Sequence, residues 1–438
     1  MLMGTTVRPF AVRGVAIIAL VALGLSVLAP AASGAARTTR ASVRSNGGEA
    51  NGLSGGAALS ATGRFVAFDS IAANLVPGDT NGEFDVFVRD RKLDRTNRVS
   101  VRSSGGQGNG GSFQPAISAG GRFVAFPSSA TNLVQGDTND ADDVFVHDRT
   151  TGKTRRLSLR SNGTQTNDAS SQPALSASGR FVAFVSLATN LVPGDANGVE
   201  DIFVHDRRTG TTRRVSVGAA GQADGPSTGP SISAGGRFVA FSSDATNLVA
   251  NDTNGVADVF VHDRRTGKTR RVSVGAAGQA DGSSAGAAIS GDGRFVAFAS
   301  LASDLVADDT NDERDIFVRD RKARTTRRVS VGAAGQADDR SQSVIEISGD
   351  GRYVAFPSDA TNLVSNDTNG LRDIFVRDRK ARTTRRVNVG AAGQADGQSE
   401  NATISRDGRF AAFYSHATNL VSADTNGVND VFVRGPLR

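Results

Sequence analysis

Cysteine is absent from all 438 residues. No disulfide braces the fold, no thiolate serves as metal ligand or nucleophile, and no cysteine carries a lipid. Tryptophan is absent too, and tyrosine occurs twice. Sugar sites and single-strand nucleic-acid sites favour exposed aromatic platforms, so lectin and nucleic-acid readings lose weight. Histidine occurs four times. His147, His205 and His262 stand where sister segments hold Arg89, Arg319, Arg377 and Arg434. That exchange predicts a surface position and argues against a histidine site; His416 stands alone. No G-x-S-x-G element is present. Lysine is rare, and the net charge of +6 is modest for 438 residues. Bulk charge alone gives no case for a nucleic-acid partner.

Long apolar runs are scarce. The one candidate, Val15 to Leu28, follows Arg8 and Arg13 and precedes small residues from Ala31 to Ala36. This is the layout of a secretory signal, and it is short of the roughly 20 residues a spanning helix needs. The expectation is a signal peptide over residues 1–36 and a secreted, periplasmic or cell-envelope protein with no membrane span after cleavage. Its removal takes away two arginines and no acid, lowering the charge from +6 to +4.

What the chain has is a repeat. An arginine after a turn glycine recurs at nearly equal steps, at Arg64, Arg122, Arg180, Arg237, Arg294, Arg352 and Arg409. A near-constant period of this size marks a repeat architecture. In the fourth copy, Ser231–Ser233, Arg237–Ser242, Asp258–Asp263 and Arg270–Val274 read as short strands between Gly, Asn and Asp clusters. Phe238 to Phe241 and Val259 to Val261 are apolar throughout, as strands buried on both faces are. The last strand alternates and should be outermost. The seventh copy lacks its fourth strand, but Thr39–Arg44 matches Asn97–Arg102, one period further along. The expectation is therefore all-β: one seven-bladed propeller over residues 37–438, a monomer of four-stranded antiparallel blades. The N-terminal strand, Thr39 to Val43, closes the seventh blade against Val431 to Val433. An open stack of seven units is the alternative.

The unit Ser290-Gly291-Asp292-Gly293-Arg294-Phe295-Val296-Ala297-Phe298 and the strand Asp315-Ile316-Phe317-Val318 resemble the WD-like repeat of TolB-type β-propellers. The likeness spans nearly all of residues 38–434. It implies the fold and leaves the activity open, because propellers of this kind include scaffolds, peptidase gating domains and enzymes. No room remains for the separate N-terminal domain of TolB, so its partner and role are not implied.

Antiparallel order puts the loop after strand two and the link to the next blade on one face. The turns after strands one and three fall on the other. The long-loop face carries a recurring D-x-N-G-x-x-D element: Asp79, Asn81, Asp85; Asp195, Asn197, Asp201; Asp252, Asn254, Asp258; Asp367, Asn369, Asp373; and Asp424, Asn426, Asp430. Clustered carboxylates and amides suit a hard cation, so these are candidate calcium ligands. The other reading is an Asx turn whose last aspartate fixes the start of strand three. The short-turn face carries all five lysines, Lys92, Lys153, Lys268, Lys322 and Lys380. That face reads either as a cationic ring for an anionic polymer or as solvated turns with local pairs such as Asp263–Arg264.

An enzyme needs a cluster that breaks the repeat. Glu346 in a strand one, with Arg340 before it, is the best candidate, and no second carboxylate can be assigned to it. The sequence thus favours a non-catalytic binding scaffold for a protein or an anionic cell-envelope polymer. The alternative is a polysaccharide hydrolase or lyase with its site at the channel mouth.

Overall fold

Apolar side chains at consecutive positions need cover on both faces, and in this chain neighbouring blades provide it. The structure is a computed structural model that describes Met1 and residues 35–438; the expected signal segment, residues 2–34, lies outside the described residues. Among the described residues there is no helix long and apolar enough to cross a membrane. Seven four-stranded antiparallel sheets form the blades of a β-propeller. Blade 4 consists of Ser227–Ile232, Phe238–Ser243, Asp258–Asp263 and Lys268–Arg271, innermost to outermost. Each core cluster straddles two blades. Val259, Val261 and Val272 of blade 4, for example, pack on Ile289, Val296 and Phe298 of blade 5. Within each blade one cross-strand phenylalanine pair, such as Phe241–Phe260 with ring centroids 6.0 Å apart, is fully buried. Each such ring contributes about 1.5–3 kcal/mol by leaving water.

In blade 4 the innermost strand is longer than the sequence suggests. Ser227–Ile232 replaces the expected Ser231–Ser233, because a bulge between Thr228 and Ser231 hides the period-two pattern. The outer strand ends at Arg271 and not at Val274. Beyond it the Ser273 hydroxyl replaces the ladder, accepting from Val259 N–H and donating to Asp258 at 2.5 Å.

Blade 7 closes as expected, with the strand starting two residues earlier. Arg37–Arg40 pairs antiparallel with Asp430–Gly435 in the register Arg37 to Gly435 and Arg40 to Phe432. Ala41 N–H then donates to Val431 C=O at 2.7 Å. The first and last parts of the described chain therefore share one sheet, and an open stack is ruled out.

The turn after each innermost strand locks onto the preceding blade. In blade 4 Gly236 has φ +73°, and a Cβ there would overlap the ring of Phe181 from blade 3. Arg264 of blade 4 lies over that same ring at 4.3 Å and donates to Gly236 C=O. Its expected partner Asp263 instead takes a bidentate pair from Arg237, at 2.8 and 2.6 Å. A second correction concerns the histidines. His147, His205 and His262 are 5–7% exposed, each with Nδ1 2.9–3.0 Å from a threonine hydroxyl of the outer strand. They and the matching arginines point under the preceding blade's loop, a pocket that accepts either side chain. Burial lowers all three imidazole pKa values. His416 is exposed on the long-loop face.

Candidate functional site

The aspartate loops converge on a residue outside their motif. In every blade a guanidinium from the outer strand sits between the two carboxylates. Arg98 Nη1 is 3.0 Å from both Asp79 and Asp85. Arg214 is 2.9 and 3.1 Å from Asp195 and Asp201. Arg271 is 3.0 and 2.8 Å from Asp252 and Asp258. Arg386 is 2.8 Å from Asp367 and from Asp373. Arg40 is 3.2 and 2.9 Å from Asp424 and Asp430. Arg156 and Arg328 do the same for Asp137 with Asp143 and Asp309 with Asp315. The amides do not offer oxygen to this centre. Asn254 donates to Asp258 at 3.2 Å and to Ala280 C=O at 3.0 Å, while its oxygen accepts from Val256 N–H. Asn81, Asn197 and Asn426 donate to Asp85, Asp201 and Asp430 in the same way, and Asn369 to Ala395 C=O. The turn residue has left-handed φ throughout: +67° at Gly255, and +51° and +54° where Asp140 and Asp312 replace glycine.

Blade 7 adds a third carboxylate. Glu49, where the other blades carry glutamine, lies with Asp424 and Asp430 so that one oxygen from each is within 4.8 Å of the others. Arg40 reaches Glu49 at 2.5 Å as well. Burial, then crowding by the second carboxylate, pushes Asp79 and Asp367 up to about 6. Asp424 also rises to about 6, by burial first. A cation at any of these loops has to displace the resident guanidinium.

The short-turn side concentrates positive charge at the seams between blades. Arg155, Arg213, Arg270 and Arg327 are exposed on the outer strands of blades 2 to 5 and make no ion pair among the described residues. Each faces the stacked arginine of the following blade: Arg207, Arg264, Arg321 and Arg379. Burial lowers the pKa of those four. An aspartate of the preceding blade partly offsets this, and the exposed arginine lowers it further. The seam of blades 4 and 5 is a groove of about 420 Å³ lined by Lys268, Arg270, Arg319, Arg321 and Arg324. Its one carboxylate, Asp263, is already paired with Arg237. In blades 1 and 7 the exposed position holds Asn97 and Thr39, so the cationic arc has two ends.

The innermost strands enclose a channel of about 410 Å³. Glu346 lines it, as the sequence suggested, whereas Arg340 does not. Arg340 belongs to the long-loop mouth, where it pairs with Asp359 at 3.0 Å. Asp359 also binds Arg372, which binds Glu400 at 3.0 Å, and Glu400 accepts from the Tyr414 hydroxyl at 2.8 Å. This chain across blades 6 and 7 escaped the sequence reading because each member sits at a loop edge of its repeat. Its signal was the departure of Tyr414 and Glu400 from their sister residues. Burial, then the Glu400 carboxylate, raises the Tyr414 hydroxyl above its ordinary value.

No protein-family model matches the sequence, and no curated protein matches it. Solved structures do share the fold. An oligogalacturonate lyase in complex with manganese superposes with TM-score 0.56 at 13% identity, over 93% of this chain and 94% of that one. The β-propeller domain of the Trilobed protease from Pyrococcus furiosus, described as having an open velcro topology, gives TM-score 0.52 at 11% identity, over 87% and 93%. TolB from Acinetobacter baumannii is matched with TM-score 0.40 at 14% identity, over 81% and 77%. At such identities the likeness extends to the fold alone. In fold, the chain is a seven-bladed β-propeller.

Proposed function

We propose that the protein is a non-catalytic binding module whose four consecutive cationic seams, from blades 2 and 3 to blades 5 and 6, take an anionic polymer. The observation that carries this reading is the like-charge facing of Arg155 with Arg207, Arg213 with Arg264, Arg270 with Arg321 and Arg327 with Arg379. Side chains of one sign brought together, where the nearby aspartate is already paired with another arginine, cost free energy, and a ligand of opposite sign recovers it. One such group per blade suits a chain of regularly repeated anionic units. The setting is the cell envelope or the outside of the cell, where the stretch from Val15 to Leu28 would direct the protein. Polygalacturonate and neutral dextran are the probes. Polygalacturonate should bind, and its affinity should fall steeply as salt rises. The quadruple variant Arg155→Ser, Arg213→Ser, Arg270→Ser and Arg327→Ser should lose at least tenfold in affinity. Equal binding of dextran, or an unaffected quadruple variant, overturns the reading.

A second reading, an enzyme acting on polysaccharide at the channel mouth, is favoured by the departure of Arg340, Glu400 and Tyr414 from the repeat, beside Asp359 and Arg372. The arginines could neutralise an acidic sugar. Yet each carboxylate in the chain is engaged by a guanidinium, and a Tyr414 hydroxyl donating to Glu400 is a poor base. Release of an unsaturated uronate from polygalacturonate, followed by ultraviolet absorbance, would establish this reading in place of the first.

A further inference from the structure

Six of the seven innermost strands carry a small or hydroxylated residue at one lumen position: Ala58, Ala116, Ala174, Ser231, Ala288 and Thr403. The seventh carries Glu346. Three residues further along, six turns carry Ala61, Ala119, Ala177, Ala234, Gly291 and Gly349, and the seventh carries Arg406. Both exceptions line the same channel. The Arg406 side chain, from blade 7, reaches past blade 6. Its Nη1 lies 3.5 Å from where a Cβ on Gly291 of blade 5 would stand.

These turns form the short-turn end of the channel, and backbone hydrogen bonds join them into a ring. Ala61 donates to Ala119, Ala119 to Ala177, Ala177 to Ala234, Ala234 to Gly291, Gly291 to Gly349 and Gly349 to Arg406 C=O, all at 2.9–3.0 Å. Asp407 N–H closes the circuit onto Ala61 C=O at 3.0 Å. Arg406 therefore lies across a narrowed end, with Glu346 one short step up the wall. The walls around them are mostly backbone, alanine, proline and branched aliphatic side chains, with Ser231, Ser343, Asn401 and Thr403 among them.

Neither charged group is satisfied by the protein. The Glu346 carboxyl meets only the backbone N–H of Ile347, and the Arg406 guanidinium makes no hydrogen bond or ion pair among the described residues. They act on one another through the lumen without forming a contact pair. Burial pushes Glu346 up to about 7 and pulls Arg406 down. Enclosed, unpaired charges are costly, and sister blades show that alanine or glycine completes both positions. Groups kept at such a cost, in a cavity with room for a small molecule, are a binding pair.

We propose that the channel holds a small zwitterion with an apolar body, its anionic group on Arg406 and its cationic group on Glu346. This inference is independent of the polymer-binding seams, which lie on the outer edge of the blades. The test is calorimetry with two zwitterions of different reach, L-leucine and 6-aminohexanoate, against hexanoate and hexylamine. The last two each keep one charged end of the same chain. At least one zwitterion should bind ten times more tightly than either single-charge analogue. Arg406→Ala should abolish the advantage over hexylamine, and Glu346→Ala the advantage over hexanoate. Both variants restore a residue found in sister blades, so thermal melting should show them folded. Should either fail to fold, Glu346→Gln and the wild-type comparison still decide. Zwitterions that bind no better than the single-charge analogues, or binding indifferent to both substitutions, overturn the proposal. Polygalacturonate binding should be unchanged in both variants, which separates this failure from that of the outer-edge reading.

Discussion

Gly236 meets two constraints at once: left-handed φ and a phenylalanine ring of the preceding blade where a side chain would go. Gly236→Ala should cost about 2 kcal/mol or more, since backbone strain and overlap add; denaturant unfolding with unchanged m-value checks it. Glu346 should leave a mark on pH dependence. Its ordinary value is 4.5 and its folded value about 7, raised by burial with Arg406 opposing. Between those values the folded state binds more protons, so the stability contributed by this group falls as pH rises through that window. Asp69, Asp79, Asp367 and Asp424, each near 6, act in the same direction. Glu346→Gln should therefore lose less melting temperature than the wild type between about pH 5 and pH 7; equal losses would place the titration elsewhere. At this scale the sequence was legible for repeating residues and, among the exceptions, for Glu346. The exchange of His262 with arginine looked like surface drift, because identity alone does not show that both side chains tuck beneath a neighbouring loop.

At the scale of the element, the outer strand does more than its alternating pattern implies. Its second arginine threads between two aspartates of its own blade. Arg271→Leu should destabilise by about 3–5 kcal/mol, because Asp252 and Asp258 then face each other unscreened. Calcium in the millimolar range should leave the wild-type melting temperature unchanged and raise that of Arg271→Leu, where the vacated carboxylates suit a hard cation. A calcium response of the wild type itself would mean that the metal displaces the guanidinium. The sequence exposed the D-x-N-G-x-x-D spacing but not the arginine, because the partner lies well past the motif, on the far side of the third strand and its turn. The closing strand was legible, since a missing fourth strand at one end and a spare one at the other match in sequence. Deleting residues 37–44 should lower the melting temperature sharply by baring the edge of Asp430–Gly435 and removing Arg40 from Asp424 and Asp430.

For the whole molecule, the near-constant period carried the architecture, because each unit buries its apolar faces only on its neighbours. The channel pair was half legible: Glu346 stood out as a break in the repeat, whereas Arg406 lies in a turn of the next repeat and its reach into the lumen shows only in the folded ring. The double variant Glu346→Ala with Arg406→Ala should melt higher than the wild type, since it returns both positions to residues of sister blades. A lower melting temperature would mean that the pair braces the end of the channel.

The ring of backbone hydrogen bonds at the short-turn end has no first or last member, yet the covalent chain does. Its break falls inside blade 7, where the two ends are laced into one sheet. The seam behaves as a buckle, and its place along the belt is arbitrary as far as the ring is concerned. A circular permutant that joins residue 438 to residue 37 and opens within another blade, between its third and outer strands, should keep every contact and unfold near the parent's denaturant midpoint. One opened between two blades keeps the same contacts on paper but loses the lacing. Its two end blades should part first, making unfolding faster while refolding stays nearly unchanged.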